Sequence, residues 1–302
     1  MAGWFARGRI SVVGRLMGSF LQKSRTIAGV IVWIGIAIVL AIILMAMLAP
    51  FIAPFDPNTK VANPETAPGG PFLMGTDRSG QDVLSRIIWG ARVPLAIIAV
   101  ATTMSLVIGL PIGLLSGFVG GRLDRILVLV MDSIYAFPGL LLAIVVAAII
   151  GRGILNISFA IAVVYIPTYF RVIRNHVASV KQEPYVEAAM ALGMPRRRVI
   201  GRYVLPNVAQ SIPVIFSVNA ADSVLTEAGL TFLGLGLPPG IPDWGFDISL
   251  NWQRFDAVWW ATFYPGLFIL ILTTALTFIG EGLNDILNPL LRKKEYKSVA
   301  EA

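Results

Sequence analysis

Three groups of residues in this 302-residue chain have types and spacings that could carry mechanical or chemical work. The first is a polar stretch containing Glu187, Ala188, Ala189, Gly193, Leu205 and Pro206. Pro184 suits a first helical turn, Glu183 and Glu187 suit the positive end of a helix dipole, and Gly193 followed by Pro195 stops the helix. A second short helix is predicted from Arg196 to Val204, with Pro206 opening the long helix that follows. Such a bent pair either rests on lipid headgroups or presents its small residues to a partner that approaches closely. The second group is Asn219, Asp222, Ser223 and Thr226, whose offsets of three, four and seven put them on one face of an otherwise apolar helix. That polar face must avoid lipid, and we expect it to line a solute path; Asp222 there either meets a cationic group or anchors a hydrogen bond between helices. The third is Gly109, Gly113, Gly117 and Gly121, a glycine at every fourth position, which strips one helix face of side chains. It packs either inside the chain or against a second subunit.

Other chemistry lacks its residues. There is no cysteine, which excludes disulfides, thiolate nucleophiles and zinc-thiolate sites. The single histidine, His176, builds neither a histidine metal cluster nor a Ser-His-Asp set. No phosphate-binding Gly-x-x-x-x-Gly-Lys-Ser/Thr loop occurs, so any ATP hydrolysis must come from another chain. We therefore expect no catalytic residues, no metal site and no cofactor held by this chain.

The elements that position these groups are membrane helices. Hydrophobic residues make up 56% of the chain, charged ones 14%, and the mean hydropathy is +0.78. A hydrocarbon core of about 30 Å takes about 20 helical residues to cross. Six apolar runs meet that length: Ile27 to Ile52, Pro94 to Gly121, Leu127 to Ile150, Ile154 to Phe170, Val208 to Leu230 and Ala261 to Ile279. None alternates like a barrel strand, so the fold is read as all-α and polytopic with about six transmembrane helices. The first run is about twice as long as a signal-peptide core and reads as a retained helix. With both termini inside, all but six of the 24 Lys and Arg fall on the cytoplasmic side, as the positive-inside rule asks. The net charge of +7 is then a topology signal, with attraction to anionic lipid, and needs no nucleic acid. Trp89, Trp244, Trp252, Trp259 and Trp260 fall near the outer face, where such rings favour the headgroup layer. The expected organisation is a cytoplasmic tail 1–26, a first helix 27–52, an extracytoplasmic segment 53–92, a five-helix core 93–290 with a cytoplasmic loop 175–206, and a cytoplasmic tail 291–302. Asp132 is expected to pair with an arginine such as Arg125, Glu227 to belong to an outer gate or docking face, and Glu281 with Asp285 to be structural.

The stretch Glu187-Ala188-Ala189, three residues, Gly193, then Leu205-Pro206 resembles the Glu-Ala-Ala loop of ABC importer permeases. Tyr203 stands where that motif has an apolar residue, with Val204 beside it. The likeness continues through Thr76-Asp77, the segments Gly80 to Arg86 and Gly90 to Arg92, and Ala136-Phe137-Pro138. It goes on through Glu227 to Gly236, Trp244-Gly245, Pro265-Gly266 and the ending Gly282 to Pro289. In these the chain is similar to the second, C-type permease of dipeptide, oligopeptide and nickel importers, from about Ala49 to Leu291; Gln81 stands where the family usually has arginine. The resemblance implies an ABC type I importer permease fold in a bacterial or archaeal plasma membrane. It also implies pairing with a second homologous permease, two ATPase subunits below that bind ATP and magnesium, and a solute-binding protein outside. The loop at Glu187 would seat in an ATPase, and transport of peptides or a related small solute such as a nickel chelate would proceed by alternating access.

Two other classes remain in view on the residues alone. A self-sufficient secondary transporter or channel would commonly show inverted repeats, and no repeat pairs the halves of this chain. A membrane scaffold would leave the polar face around Asp222 without a purpose.

Overall fold

A computed structural model of the protein describes residues 27–238 and 240–287, so both tails and their basic residues lie outside the described residues. Five helices are long and apolar enough to cross a membrane, and six spans result when one sharply bent pair counts as a single crossing. The protein is an all-α polytopic membrane protein. Among the described residues extended pairing is limited to two isolated bridges, Gly69 with Phe72 and Thr76 with Asp82.

Helix α1 (Ile27–Ile52) is apolar on all sides. It is followed by α2 (Val83–Gly90) and α3 (Arg92–Val119), and α3 lies along α6 (Ile154–Lys181) in close backbone contact. The glycine stripe is the reason. A Cβ on Gly109 would stand 2.7 Å from Tyr169 Cβ, one on Gly113 2.9 Å from the Phe170 carbonyl oxygen, and one on Gly117 2.6 Å from that of Arg174. Ser105 Oγ also donates across the seam to the Ala162 carbonyl at 3.2 Å. The stripe thus packs inside the chain. Gly121 is not part of it: Gly120 and Gly121 take φ of +70° and +67°, which ends α3 and turns the chain, and a Cβ on Gly121 would meet nothing within 4 Å. The regular spacing continued past a break that only backbone angles reveal.

The run expected as one span from Leu127 to Ile150 is two helices, α4 (Gly121–Tyr135) and α5 (Gly139–Ile150), bent by 88°. Pro138 disfavours helical geometry at Phe137 and offers no N–H to continue the ladder. Helix α6 in turn runs on past Phe170 to Lys181, because Ile173, Val177 and Val180 keep an apolar stripe buried while Arg171 and Arg174 pair with Asp132 and Asp124 of α4.

Helix α7 (Pro184–Ala191) is the first of the two short helices, but the second is no separate piece. A continuous helical run from Arg196 to Phe232 comprises α8 (Arg196–Val199), a π-helical turn (Ile200–Val204), α9 (Leu205–Val208), a 3-10 turn (Ala209–Ser211) and α10 (Ile212–Phe232). Pro206 therefore sits within this helix rather than at its start. The wider and tighter turns fall beside Pro206 and Pro213, where each missing N–H interrupts the regular ladder. The chain ends in α11 (Trp244–Asn251) and α12 (Phe255–Leu287), the latter broken at Val258 (φ −135°, ψ 46°). Helix α12 packs on α1, where a Cβ on Gly35 would lie 2.5 Å from the Ala275 carbonyl oxygen.

The two segments expected on the outer side fold together as a cap instead of lying open as loops. Asp82 caps α2 through Ser85 N at 2.8 Å, and Asp77 Oδ1 accepts from Ser79 N and Gln81 N, both at 2.8 Å. Arg86 Nε reaches both Asp247 carboxylate oxygens at 3.1 Å, with a further contact from Nη2, and both side chains are buried. Gln81 Oε1 accepts from Arg86 Nη1 at 2.8 Å, so Gln81 belongs to this network and is not a bare surface position. Trp244 and Trp260 are buried pillars whose Nε1 groups donate to the carbonyls of Ile87 and Thr76, each at 3.0 Å. Of the tryptophans expected at the headgroups, Trp252 and Trp259 are exposed. A buried indole needs a partner for its N–H, and the carbonyls of Ile87 and Thr76 supply one to each.

A two-sided short helix and a polar groove

Helix α7 is buried on one side and exposed on the other. Pro184 stands at its first position behind Glu183, and the Glu187 N–H is held by the Glu183 carbonyl at 3.1 Å. Gly193, at φ +78°, lets its own N–H reach the Met190 carbonyl and that of Met194 reach Ala189, closing the helix end. Val186 and Ala189 are buried, packed in one cluster with Val177 and Val180 of α6 and with Val199, Val204 and Val208 of the following run. Glu187, Ala188 and Gly193 are exposed, and Leu192 at the tip is 87% exposed. Leu205 and Pro206 are half-buried in the neighbouring helix.

Polar ties link α7 to that helix. Asn207 Nδ2 donates to the Tyr185 hydroxyl at 3.2 Å and to the Tyr203 carbonyl at 2.6 Å, and the rings of Tyr185 and Tyr203 lie 6.4 Å apart. Partial burial and the nearby Glu183 push the Tyr185 hydroxyl above its ordinary pKa, so it stays a neutral acceptor for Asn207. His176 Nδ1 meets Ser211 Oγ at 2.9 Å, tying α6 to the 3-10 turn. Helix α7 is thus joined to the run leading into α10 by packed valines and by the Asn207–Tyr185 bridge, and α6 is joined to the same run by the His176–Ser211 bridge.

Helix α10 carries the four polar residues into different surroundings. Asp222 is exposed and Thr226 half-exposed, and both line a groove of about 460 Å³ with Asn219, Tyr165, Thr168 and the bend at Phe137. Tyr165 Oη and Thr226 Oγ1 are 2.9 Å apart across it. Asn219 is 2% exposed, and its Nδ2 has no hydrogen-bond partner at the groove wall. Ser223 does not line the groove: it is fully buried and donates to the Asn219 carbonyl at 2.6 Å. The shared face thus splits, because Ser223, next in sequence to Asp222, sits about 100° round the helix from it and meets the core. Among the described residues no cation pairs with Asp222. Tyr165 is the groove residue that sequence reasoning missed; a lone tyrosine in an apolar run gives no signal before its neighbours are known.

Other acidic residues differ from expectation. Asp132 pairs with Arg171 at 2.8 Å, across two helices, and not with Arg125. Asp124 joins Arg174 and Ser116, holding α4 to α6 and α3. Glu227 offers no outer face: it is 1% exposed, with its carboxyl against that of Asp243. Glu281 and Asp285 are exposed on α12.

Comparison with known proteins agrees with this architecture. Residues 109–293 match the family described as binding-protein-dependent transport system inner membrane component, and residues 31–68 match the N-terminal TM domain of oligopeptide transport permease C. The chain is 38% identical over 227 residues to a glutathione transport system permease protein of Pectobacterium atrosepticum, covering 74% of this chain and 75% of that one. It is 35% identical over 234 residues to a dipeptide transport system permease protein of Alkalihalophilus pseudofirmus, covering 78% and 77%. A di/tripeptide transport system permease protein of Pseudomonas aeruginosa is 38% identical over 221 residues, 73% of each chain. A membrane-spanning α-helical chain with this extent of likeness belongs to the family of binding-protein-dependent transport system inner membrane components.

Proposed function

We propose that this chain is the C-type permease of an ATP-driven peptide importer, paired with a second homologous permease in a plasma membrane with both termini cytoplasmic. Two ATPase subunits, which bind the ATP and magnesium, dock beneath it, and a solute-binding protein docks on the outer cap. The relatives named for dipeptide, di/tripeptide and glutathione transport support a small peptide as the solute.

The observation that carries this reading is the two-sidedness of α7. Glu187, Ala188 and Leu192 face outward with nothing covering them, while Val186 and Ala189 are locked into the helix that leads to Asp222. An ATPase pressing on the exposed side moves a rigid link, and the π and 3-10 turns between Ile200 and Ser211 supply the place where that link flexes. Asp222 then meets the peptide's ammonium group in the groove; at about 4 Å and an effective dielectric of about 20, such an attraction is about 4 kcal/mol before desolvation.

Proteoliposomes holding the whole complex should take up labelled dipeptide only with ATP on the α7 side and the binding protein on the other. Uptake by this chain alone, driven by an ion gradient without ATPase subunits, would assign it to secondary transport.

A further inference from the structure

A second concavity, far from the groove in its chemistry, opens on the surface of the helix bundle between α1, α3, α10 and α12. It measures about 640 Å³, within the range of small-ligand sites, and its walls are aliphatic and aromatic. Arg92 stands at its mouth as the sole charged lining residue. Arg92 Nε donates to the Ala46 carbonyl at 2.8 Å, and the guanidinium lies 4.2 Å from the centre of the Trp89 ring. Its terminal nitrogens make no hydrogen bond and no ion pair among the described residues, and the residue is exposed. A guanidinium so placed asks for an anion whose remainder is apolar.

We propose that this crevice is a phospholipid site, taking one acyl chain of an anionic lipid with its phosphate on Arg92. Along α1 the lining runs from Met47 inward to Val39, about 12 Å of helix rise, and Phe216 and Leu276 line the deep end. That depth accepts most of one leaflet's hydrocarbon chain but falls well short of the roughly 30 Å over which a spanning helix of another subunit would pack. Arginine forks match phosphate oxygens, and an indole beside the charge suits the headgroup layer. The bound chain would fill the gap between α1 and the rest of the bundle, so the site also bears on how the first helix is held.

The test is native mass spectrometry of the purified transporter complex, titrated with phosphatidylglycerol or phosphatidylcholine of matched acyl chains. The wild-type complex is expected to retain phosphatidylglycerol preferentially. Arg92→Gln should weaken that retention roughly fivefold and Arg92→Lys should restore most of it. Ala99→Trp fills the crevice while leaving Arg92 and its contact with Ala46 in place, and should abolish retention of both lipids at this site; it decides the matter if Arg92→Gln does not assemble. Equal retention of the two lipids, or retention unchanged by Ala99→Trp, overturns the proposal. A photoreactive group at Ala99 that joined to protein instead of lipid would overturn it too, in favour of a partner helix.

Discussion

Replacing Gly193 tests whether the shape of the α7 end, and nothing else about it, sets the coupling. The residue sits at φ +78°, and a Cβ there would meet nothing within 4 Å, so substitution introduces no clash. The cost is conformational only: a residue with a Cβ in the left-handed region loses about 1–2 kcal/mol, partly offset by about 0.4–1 kcal/mol from restricting the unfolded chain. Gly193→Ala is thus expected to disfavour the native turn by about 1 kcal/mol, or roughly fivefold in population. The fold should survive, because the spans do not depend on this turn. The assay is the ratio of ATP hydrolysed to peptide taken up in proteoliposomes, with thermal unfolding of the complex followed alongside. The ratio should rise for Gly193→Ala and more for the β-branched Gly193→Val, while Gly193→Asn, which tolerates the left-handed region, stays near wild type. If the asparagine variant uncoupled as strongly as the valine one, or if neither alanine nor valine changed the ratio, the backbone geometry would not be the cause.

Gly113→Ala should behave in the opposite way. Its Cβ would stand 2.9 Å from the Phe170 carbonyl oxygen, which cannot move without shifting α6, so overpacking of about 1–3 kcal/mol should lower the melting temperature of the complex with little change in the coupling ratio. Arg86→Gln leaves Asp247 buried without its cation, a loss of about 3–5 kcal/mol, and should reduce the amount of folded protein recovered from membranes. Asp222→Asn should leave folding and ATPase activity intact but reduce uptake of dipeptides about tenfold or more, and an N-acetylated dipeptide should show no such difference between the two proteins.

The spans and helix α7 were legible because each is local: a long apolar run marks a helix, and Pro184 with Gly193 marks the ends of α7. What failed was long-range or angular. Gly120 and Gly121 break the stripe through φ values that spacing does not encode, and the 88° bend was hidden by an apolar run that stays apolar on both sides of Pro138. Helix α6 outruns its hydropathy because amphipathic packing replaces bilayer burial beyond Phe170. The cap joins Arg86 to Asp247 and Trp260 to Thr76 across most of the chain, pairings that no window along the sequence contains. Ser223 shared a face with Asp222 by periodicity, yet the neighbouring helices divide that face into wall and core.

The lever role proposed for α7 rests on its exposed side touching an ATP-hydrolysing subunit. The chain has no cysteine, so Ala188→Cys carrying a photoreactive maleimide gives a single reporter, with Ile149→Cys on the exposed flank of α5 as its control. In proteoliposomes of the whole complex that still take up peptide, the label at residue 188 should form an adduct with an ATPase subunit, and adding nucleotide should change its yield; the label at residue 149 should form none. A label at residue 188 that reaches only lipid or solvent, in membranes with undiminished uptake, would contradict the account.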